Sequence, residues 1–220
     1  NKKIKFNLAN KIKKNYPKAK IIITIRKQED WILSYYVFCL KNFYIHRSIN
    51  NMIQKNLNYF TSKLSYFDLL YHYINLFGFN NVLIIPVEML SKQTEEVFKK
   101  IEIFTGEKLL RDKINFSLVN NSNYNVIYVF LLIFFSKIIN LFFYLFYFLG
   151  LFKTRKKPKE YFPFIEKILN FIFTNKKFKI SINKKNKKIL DDFFDENNYK
   201  LSKLININLK NLGYSSKDDK

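Results

Sequence analysis

The chain has 220 residues, of which 48% are hydrophobic and 25% are charged, and its formal net charge is +22. This composition predicts a globular domain with a sizeable core and excludes an intrinsically disordered chain. Cys39 is the single cysteine, which excludes an internal disulfide and argues against a thiolate metal site. His46 and His72 form no ligand motif, so no metal site is predicted.

The positive charge raises the question of nucleic-acid binding, because clustered lysine and arginine side chains neutralise phosphates. Here the lysines are spread along the whole chain. Lys, Asn, Ile, Phe and Tyr all have AT-rich codons, so a genomic bias accounts for their excess. We therefore do not predict nucleic acid as the main partner, although a chain of this charge is expected to attract anions.

The first hundred residues alternate between helix and strand patterns. Residues 1–16 have the apolar period of an amphipathic helix, which Pro17 ends. The run Ile21–Ile25 is short, β-branched and apolar, which is typical of a parallel strand covered on both faces. It ends at Arg26, and residues 29–45 predict a helix.

The same order then repeats. Residues 63–77 predict a helix that ends at Gly78, Val82–Val87 a second buried strand, and residues 93–104 a further helix. Helix–strand–helix repeated in this way predicts an α/β fold, a parallel sheet with crossover helices.

Residues 126–152 are almost all apolar and carry one charge, on Lys137. As one helix they would be about 40 Å long, enough to span a bilayer core. Lys137 would then cost ~2.5–3.5 kcal/mol near the bilayer centre. An interfacial helical hairpin, with the cations of residues 153–159 on anionic headgroups, and the filling of a protein core are the alternatives. We predict membrane-surface contact through residues 126–159 and prefer the interfacial form.

Towards the C-terminus the patterns predict an amphipathic helix over residues 160–173, a lysine-rich linker over 174–188 and a final helix over 189–205. The predicted organisation is one domain over 1–220, with an α/β core at 17–106, an apolar helical insertion plus basic cluster at 126–159, and C-terminal helices at 160–214.

Arg26 is placed where ligands bind in open α/β sheets, beyond the carboxyl end of a strand. Ser34 lies about two helical turns into the next predicted helix. A guanidinium and a hydroxyl both donate hydrogen bonds, so together they suit a phosphate. By spacing alone, an ordinary surface arginine and a helical serine fit the pattern equally well.

The surrounding residues narrow this choice. The string PKAKIIITIRKQEDWILSYY resembles the segment with which sulfotransferases bind the 3′-phosphate of their sulfate donor, 3′-phosphoadenosine 5′-phosphosulfate (PAPS). That segment has an apolar strand, an arginine, a short turn and a serine followed by aromatic residues. The arginine and serine of the family pattern fall on Arg26 and Ser34.

Two further blocks resemble the same family, in the same order. YFDLLYHYINLFGFNNVLIIPVEMLSKQTEEVFKKIEIFTG is similar to its helix, FG turn, strand, E-x-L turn and helix ending in F-x-G. FFDENNYKLSKLININLKNLGY resembles the closing pattern of bacterial members. The matching residues are Tyr66, Leu70, Tyr73, Phe77, Gly78, Glu88, Leu90, Phe104, Gly106, Asn197, Leu201, Leu209, Gly213 and Tyr214.

The chain also departs from the family pattern. Gln28 replaces a frequent proline and Trp31 a frequent basic residue, which predicts an altered turn or a weaker hold on the phosphate. The family's glycine-rich 5′-phosphosulfate loop has no counterpart. Because the sequence also lacks an initiator methionine, we expect the loop and the catalytic base upstream of residue 1, and we assign no catalytic residue.

The resemblance implies a PAPS-dependent sulfotransferase with a P-loop-type fold, present as a fragment. It implies transfer of a sulfuryl group to a hydroxyl or amine of a glycan or lipid-like acceptor. Arg26, Ser34 and Tyr66 are the implied donor-binding residues, PAPS is the co-substrate, and no metal is implied. A cytoplasmic location is expected, with membrane association if residues 126–159 contact lipid.

Two alternatives remain. A nucleotide kinase on the related P-loop fold would leave the FG, E-x-L and F-x-G pattern unexplained. A basic membrane-peripheral, anion-binding protein without catalysis would explain the charge and the apolar segment. It would make the three ordered blocks a coincidence.

Overall fold

The computed structural model describes residues 2–42, 44–45, 47–110, 123–124 and 178–217, together with scattered positions between 133 and 148. The chain divides into two compact units. The first comprises residues 1–30, 56–117 and 184–220, and the second residues 31–55 and 118–183.

The described helices are α1 (Lys2–Asn15), α2 (Gln28–Lys41), α3 (Ile49–Lys55), α4 (Leu57–Leu64), α5 (Tyr66–Phe77), α6 (Val87–Lys92), α7 (Thr94–Thr105) and α8 (Lys184–Ile205). The described strands are β1 (Ile21–Ile25), β2 (Val82–Pro86), β3 (Asn123–Tyr124) and β4 (Phe178–Lys179). Short 3₁₀ turns cover Phe79–Asn81 and Lys210–Leu212.

β1 and β2 pair in parallel, in a register that runs from Ile21 opposite Val82 to Ile25 opposite Pro86. A proline fits the last position of a strand because it has no N–H to donate to the ladder. Helices connect the two strands, as a parallel pair requires. The predicted α/β class is therefore confirmed.

The two strands differ in how they are covered. β2 packs on both faces: Val82 and Ile84 join a core formed with α1, α5 and α8, while Ile85 packs with residues of α6 and α7. In β1, Ile25 faces that first core, but Ile22 is 42% exposed. Successive side chains of a strand point to opposite faces. The prediction that β1 is covered on both faces was therefore wrong, because the face that carries Ile22 is exposed.

The helix predicted over residues 63–77 is in fact two helices. α4 ends at Leu64, and Ser65 takes an extended backbone conformation before α5 begins at Tyr66. The Ser65 hydroxyl and N–H both donate to the Thr61 carbonyl, at 2.7 and 3.1 Å, which caps the end of α4. Ser65 therefore separates α4 from α5.

α8 begins at Lys184, inside the predicted linker over 174–188. Its buried residues are spaced three or four apart and form one stripe: Asn186, Leu190, Phe194, Asn198 and Leu201. Such a stripe packs a helix onto a core. α8 thereby joins α5 in the first unit.

The apolar segment 126–152, the basic cluster 153–159 and the predicted helix 160–173 lie largely or wholly outside the described residues. Among the residues that are described, no helix combines the length and the apolar character needed to cross a bilayer. The boundaries predicted for the sequence regions stay predictions.

Candidate functional site

The candidate site lies at the edge of the sheet where both strands end. Because β1 and β2 are parallel and in register, their carboxyl ends lie together. Arg26 and Lys27 follow β1, and Val87 and Glu88 follow β2. Ligands of open α/β sheets bind beyond this edge.

Glu88 joins the two turns through its carboxylate. The Lys27 N–H donates to Oε1 at 2.7 Å, and the Tyr214 hydroxyl donates to Oε2 at 2.8 Å. Burial raises the pKa of Tyr214 far above its usual value, and the neighbouring Glu88 carboxylate raises it further. Tyr214 therefore keeps its proton and remains a donor, which ties the C-terminal tail to both strand ends.

Tyr66, the first residue of α5, supports the turn after β1 from another direction. Its hydroxyl donates to the Arg26 carbonyl at 2.9 Å. Burial raises the pKa of Tyr66, so its hydroxyl keeps the proton that it donates in this hydrogen bond. The structure thus brings together two of the three predicted donor-binding residues, Arg26 and Tyr66, through the backbone of Arg26.

Gln28, where the family often has proline, starts α2 and is 4% exposed. Its Nε2 donates to Asn198 Oδ1 at 2.7 Å, and Asn198 Nδ2 lies 3.3 Å from Gln28 Oε1 and donates to the Ser215 carbonyl at 2.7 Å. A proline could form none of these side-chain bonds. Gln28, in place of the frequent proline, therefore bonds the turn after β1 directly to α8.

Asn197, next along α8, acts at the start of α5. Its Oδ1 accepts a hydrogen bond from the Phe67 N–H at 3.3 Å. The first N–H groups of a helix have no partner within the helix, so this contact satisfies one of them. Asn197 and Asn198 together anchor α8 to the two helices that begin at the site.

The Arg26 side chain contrasts with this network. The guanidinium is half-buried, and it forms no hydrogen bond or ion pair with any residue in the described part of the chain. Its neighbour Lys27 is paired with Asp30 at 3.2 Å. The five N–H donors of this guanidinium are thus not taken up by any described residue, and the backbone that carries the side chain is held by Tyr66.

Ser34, the third predicted residue, lies on α2 and belongs to the second unit, whereas Arg26 belongs to the first. It is half-buried, and within the described ranges its hydroxyl has no hydrogen-bond partner. Ser34 and Arg26 are therefore each described within their own unit.

Sequence reasoning missed Asn198, which is fully buried and links Gln28 to the tail. A signal was present: Asn198 lies four residues after Phe194 and three before Leu201, on the apolar face of a helical pattern. A polar residue at such a position requires a buried hydrogen-bond partner. The identity of that partner, 170 residues away, carries no signal in one sequence.

Comparison with known proteins identifies the family of the chain. A family model described as "Sulfotransferase domain" matches residues 8–127, more than half of the chain. The chain therefore belongs to the sulfotransferase family, and the predicted family is confirmed. The match includes the first two sequence blocks that resembled the family.

A solved structure shows the same fold. It is the crystal structure of a sulfotransferase from Alicyclobacillus acidocaldarius, with a TM-score of 0.56 and 15% sequence identity. The likeness covers 93% of this chain and 61% of that one, so the chain spans about three fifths of the other protein's length. No curated protein matches this chain.

Proposed function

We propose that the chain is part of a PAPS-dependent sulfotransferase and that its strand edge binds the 3′-phosphate of the donor. Family membership supports sulfotransfer in general. The observation that carries the finer proposal is the Arg26 guanidinium, which has no partner among the described residues although its backbone is fixed by Tyr66 and the neighbouring Lys27–Glu88 bond. A guanidinium on a fixed backbone, with no partner among the described residues, suits an anionic ligand.

In this proposal Arg26 donates two hydrogen bonds to the 3′-phosphate. Ser34 stays a predicted donor-binding residue that is described within the second unit. A guanidinium matches the geometry of phosphate oxygens, and such charge-assisted bonds are stronger than neutral ones. Tyr66 is the third residue of the site: its hydroxyl holds the Arg26 carbonyl and its ring lies beside the nucleotide. The half-buried Arg26 guanidinium fits the phosphate group chemically.

PAPS supplies a sulfuryl group: the acceptor oxygen or nitrogen forms a bond to sulfur, the sulfur–oxygen bond to the 5′-phosphate breaks, and that phosphate leaves with the electron pair. The acceptor proton passes to a base that we do not assign. The residues of this chain bind and orient the donor, and orientation is a large part of catalysis in group transfer. We propose a glycan or lipid-like acceptor.

Isothermal titration with 3′-phosphoadenosine 5′-phosphate and with ADP tests the proposal, since the two nucleotides carry the same number of phosphates in different positions. The 3′-phosphate compound should bind about tenfold to a hundredfold more tightly, because a charge-assisted hydrogen bond contributes ~1.5–3 kcal/mol. Arg26→Ala should abolish the difference and Arg26→Lys should reduce it.

Lys92→Ala is the matched control, because it removes one exposed positive charge from the same unit at the end of α6. Its preference for the 3′-phosphate compound should equal that of the wild type. Equal affinities of the wild type for both nucleotides would contradict the proposed donor site.

A second candidate function, binding to a membrane surface, is favoured by one observation in the second unit. Five apolar residues described as helical, spaced four and three apart, are exposed: Phe134, Ile138, Leu141, Leu145 and Phe148. An exposed apolar stripe followed in sequence by the cations of residues 153–159 suits an interfacial helix on anionic lipid. This function is compatible with a lipid-like acceptor.

Co-sedimentation with liposomes tests this second function. Vesicles with anionic headgroups should retain the protein, and a variant with Leu141→Glu and Leu145→Glu should stay in the supernatant. Absence of binding by the wild type would remove the membrane proposal and leave the donor site untouched.

A further inference from the structure

A cavity of about 810 Å³ lies at the C-terminal end of α8, apart from the strand-edge turns. Its walls come from the last two turns of α8, from residues 206–210 and from the tail residues Ser216 and Lys217. All of these belong to the first unit. Cavities of roughly 300–1,000 Å³ are typical of small-molecule sites.

The shape of the cavity follows from the way α8 ends. Asn206 has a φ of 51°, in the left-handed region, and the Ile207 N–H donates to the Ser202 carbonyl at 3.2 Å. This is the Schellman arrangement that closes a helix and reverses the chain. Tyr199 and Lys203, four residues apart, lie on one face of α8, and the reversed chain places Asn208 and its neighbours around the same space.

The lining is strongly positive. It includes Lys203, Lys210 and Lys217, and none of the described residues contributes a carboxylate to it. Glu196, outside the lining, pairs with Lys217 at 3.0 Å. The negative end of the helix dipole favours a cation in the last turn, which explains Lys203. Lys203 also lies over the Tyr199 ring, with its Nζ 5.4 Å from the ring centroid. Lys210 and Lys217 extend the positive lining beyond the helix.

The neutral part of the lining indicates what kind of anion fits. Asn206, Asn208, Ser202 and Ser216 present amide and hydroxyl groups, which hydrogen-bond to hydroxyl-rich ligands. Among the described residues, Tyr199 alone brings an aromatic ring to the lining, whereas single-stranded nucleic acids are bound on several stacking platforms. A flat membrane surface does not enter a concave site. Hydroxyls together with acidic groups are the chemistry of an acidic saccharide.

The tail that forms one wall also supports the candidate donor site. Tyr214 binds Glu88, and the Ser215 carbonyl accepts a hydrogen bond from Asn198, directly before Ser216 in the cavity wall. A ligand in the cavity therefore contacts the segment that ties the two strand-end turns to α8.

We propose that this cavity binds an acidic saccharide, carrying sulfate or carboxylate groups, as part of the acceptor chain. The lysines bind its acidic groups, and the amides and hydroxyls bind its ring hydroxyls. The identification of the saccharide as acceptor rests on the proposed sulfotransferase function, whereas the binding site rests on the cavity alone.

Isothermal titration of the full chain with a sulfated disaccharide, its unsulfated counterpart and inorganic sulfate tests the site. The sulfated disaccharide should bind most tightly. The double variant Lys203→Gln/Lys210→Gln should weaken it about tenfold, a change of ~1.4 kcal/mol. The control Lys184→Gln/Lys188→Gln removes the same charge from exposed positions at the other end of α8 and should leave the affinity nearly unchanged.

Three results would overturn the inference. Equal losses in the two double variants would mean general attraction by the net charge, and equal affinity for the two disaccharides would exclude recognition of acidic groups. Inorganic sulfate binding as tightly as the sulfated disaccharide would indicate a small-anion site only. Arg26→Ala should keep saccharide binding. Nucleotide titration therefore tests the donor site, and saccharide titration tests this cavity independently.

Discussion

The two turns that follow β1 and β2 lie at the same sheet edge, but they use their charged side chains in opposite ways. After β2, both carboxylate oxygens of Glu88 accept hydrogen bonds from within the protein, from Lys27 and Tyr214. After β1, Arg26 contributes only its carbonyl to this network, and its guanidinium has no partner in the described part of the chain. The Glu88 charge is satisfied within the fold, whereas the Arg26 charge has no described partner and is the one that we propose binds a ligand.

This difference separates structural from functional residues without reference to conservation. A charged group with all its hydrogen bonds satisfied internally should affect stability when it is lost. A charged group held in place but without a partner should affect binding. The following variants test that division, from the largest expected effect to the smallest.

Asn198→Ala should cause the largest loss of stability, about 3 kcal/mol, because the Ser215 carbonyl loses this donor and the buried Gln28 amide keeps only its 3.5 Å bond to the Leu64 carbonyl. Denaturant unfolding measures the loss. Asn75→Ala, at an exposed position of α5, is the control and should change stability by no more than about 0.5 kcal/mol. Equal effects of the two variants would mean that the Gln28–Asn198 bond does not hold the turn.

Tyr214→Phe should cost ~1.5–3 kcal/mol, because it removes a hydrogen bond to a charged acceptor from a side chain that is 3% exposed. Tyr71→Phe removes a hydroxyl from a half-exposed ring and should be nearly neutral. Thermal unfolding of both variants distinguishes them, and a neutral Tyr214→Phe would show that Glu88 does not need this donor.

Alkaline pH should weaken the same network. Burial raises the pKa of both Tyr66 and Tyr214, so the folded chain retains protons that the unfolded chain loses above pH 10. Their contribution to stability is complete below pH 10 and declines above it, by ~1 kcal/mol for each tyrosine over the first pH unit. Unfolding measured against pH should show this slope, and Tyr66→Phe/Tyr214→Phe should flatten it.

Arg26→Ala should have the smallest effect on stability, within about 0.5 kcal/mol, since no described residue loses a side-chain hydrogen bond. The same variant should lose its preference for the 3′-phosphate nucleotide. A large loss of stability would place Arg26 with Glu88 as a structural residue and would erase the contrast between the two turns.

Local patterns predicted much of the chain. The short β-branched run gave the bounds of β1, and the helix-period patterns gave α5 and α7 to within a few residues. α3 and α4 were not predicted, since their segments are rich in asparagine and polar residues. The break at Ser65 was also missed. The sequence does not distinguish a serine whose hydroxyl bonds to a backbone carbonyl from one whose hydroxyl faces solvent.

The sequence by itself determined the family, the parallel strands and the position of Arg26 at a strand end, because each depends on residues close together in the chain. The tertiary structure alone decided which charges are neutralised. The bonds from Glu88 to Lys27 and Tyr214 join residues 61 and 126 positions apart, and the lysines of the cavity come from α8, the following turn and the tail. Such pairings depend on how the chain is packed, and no local period encodes them.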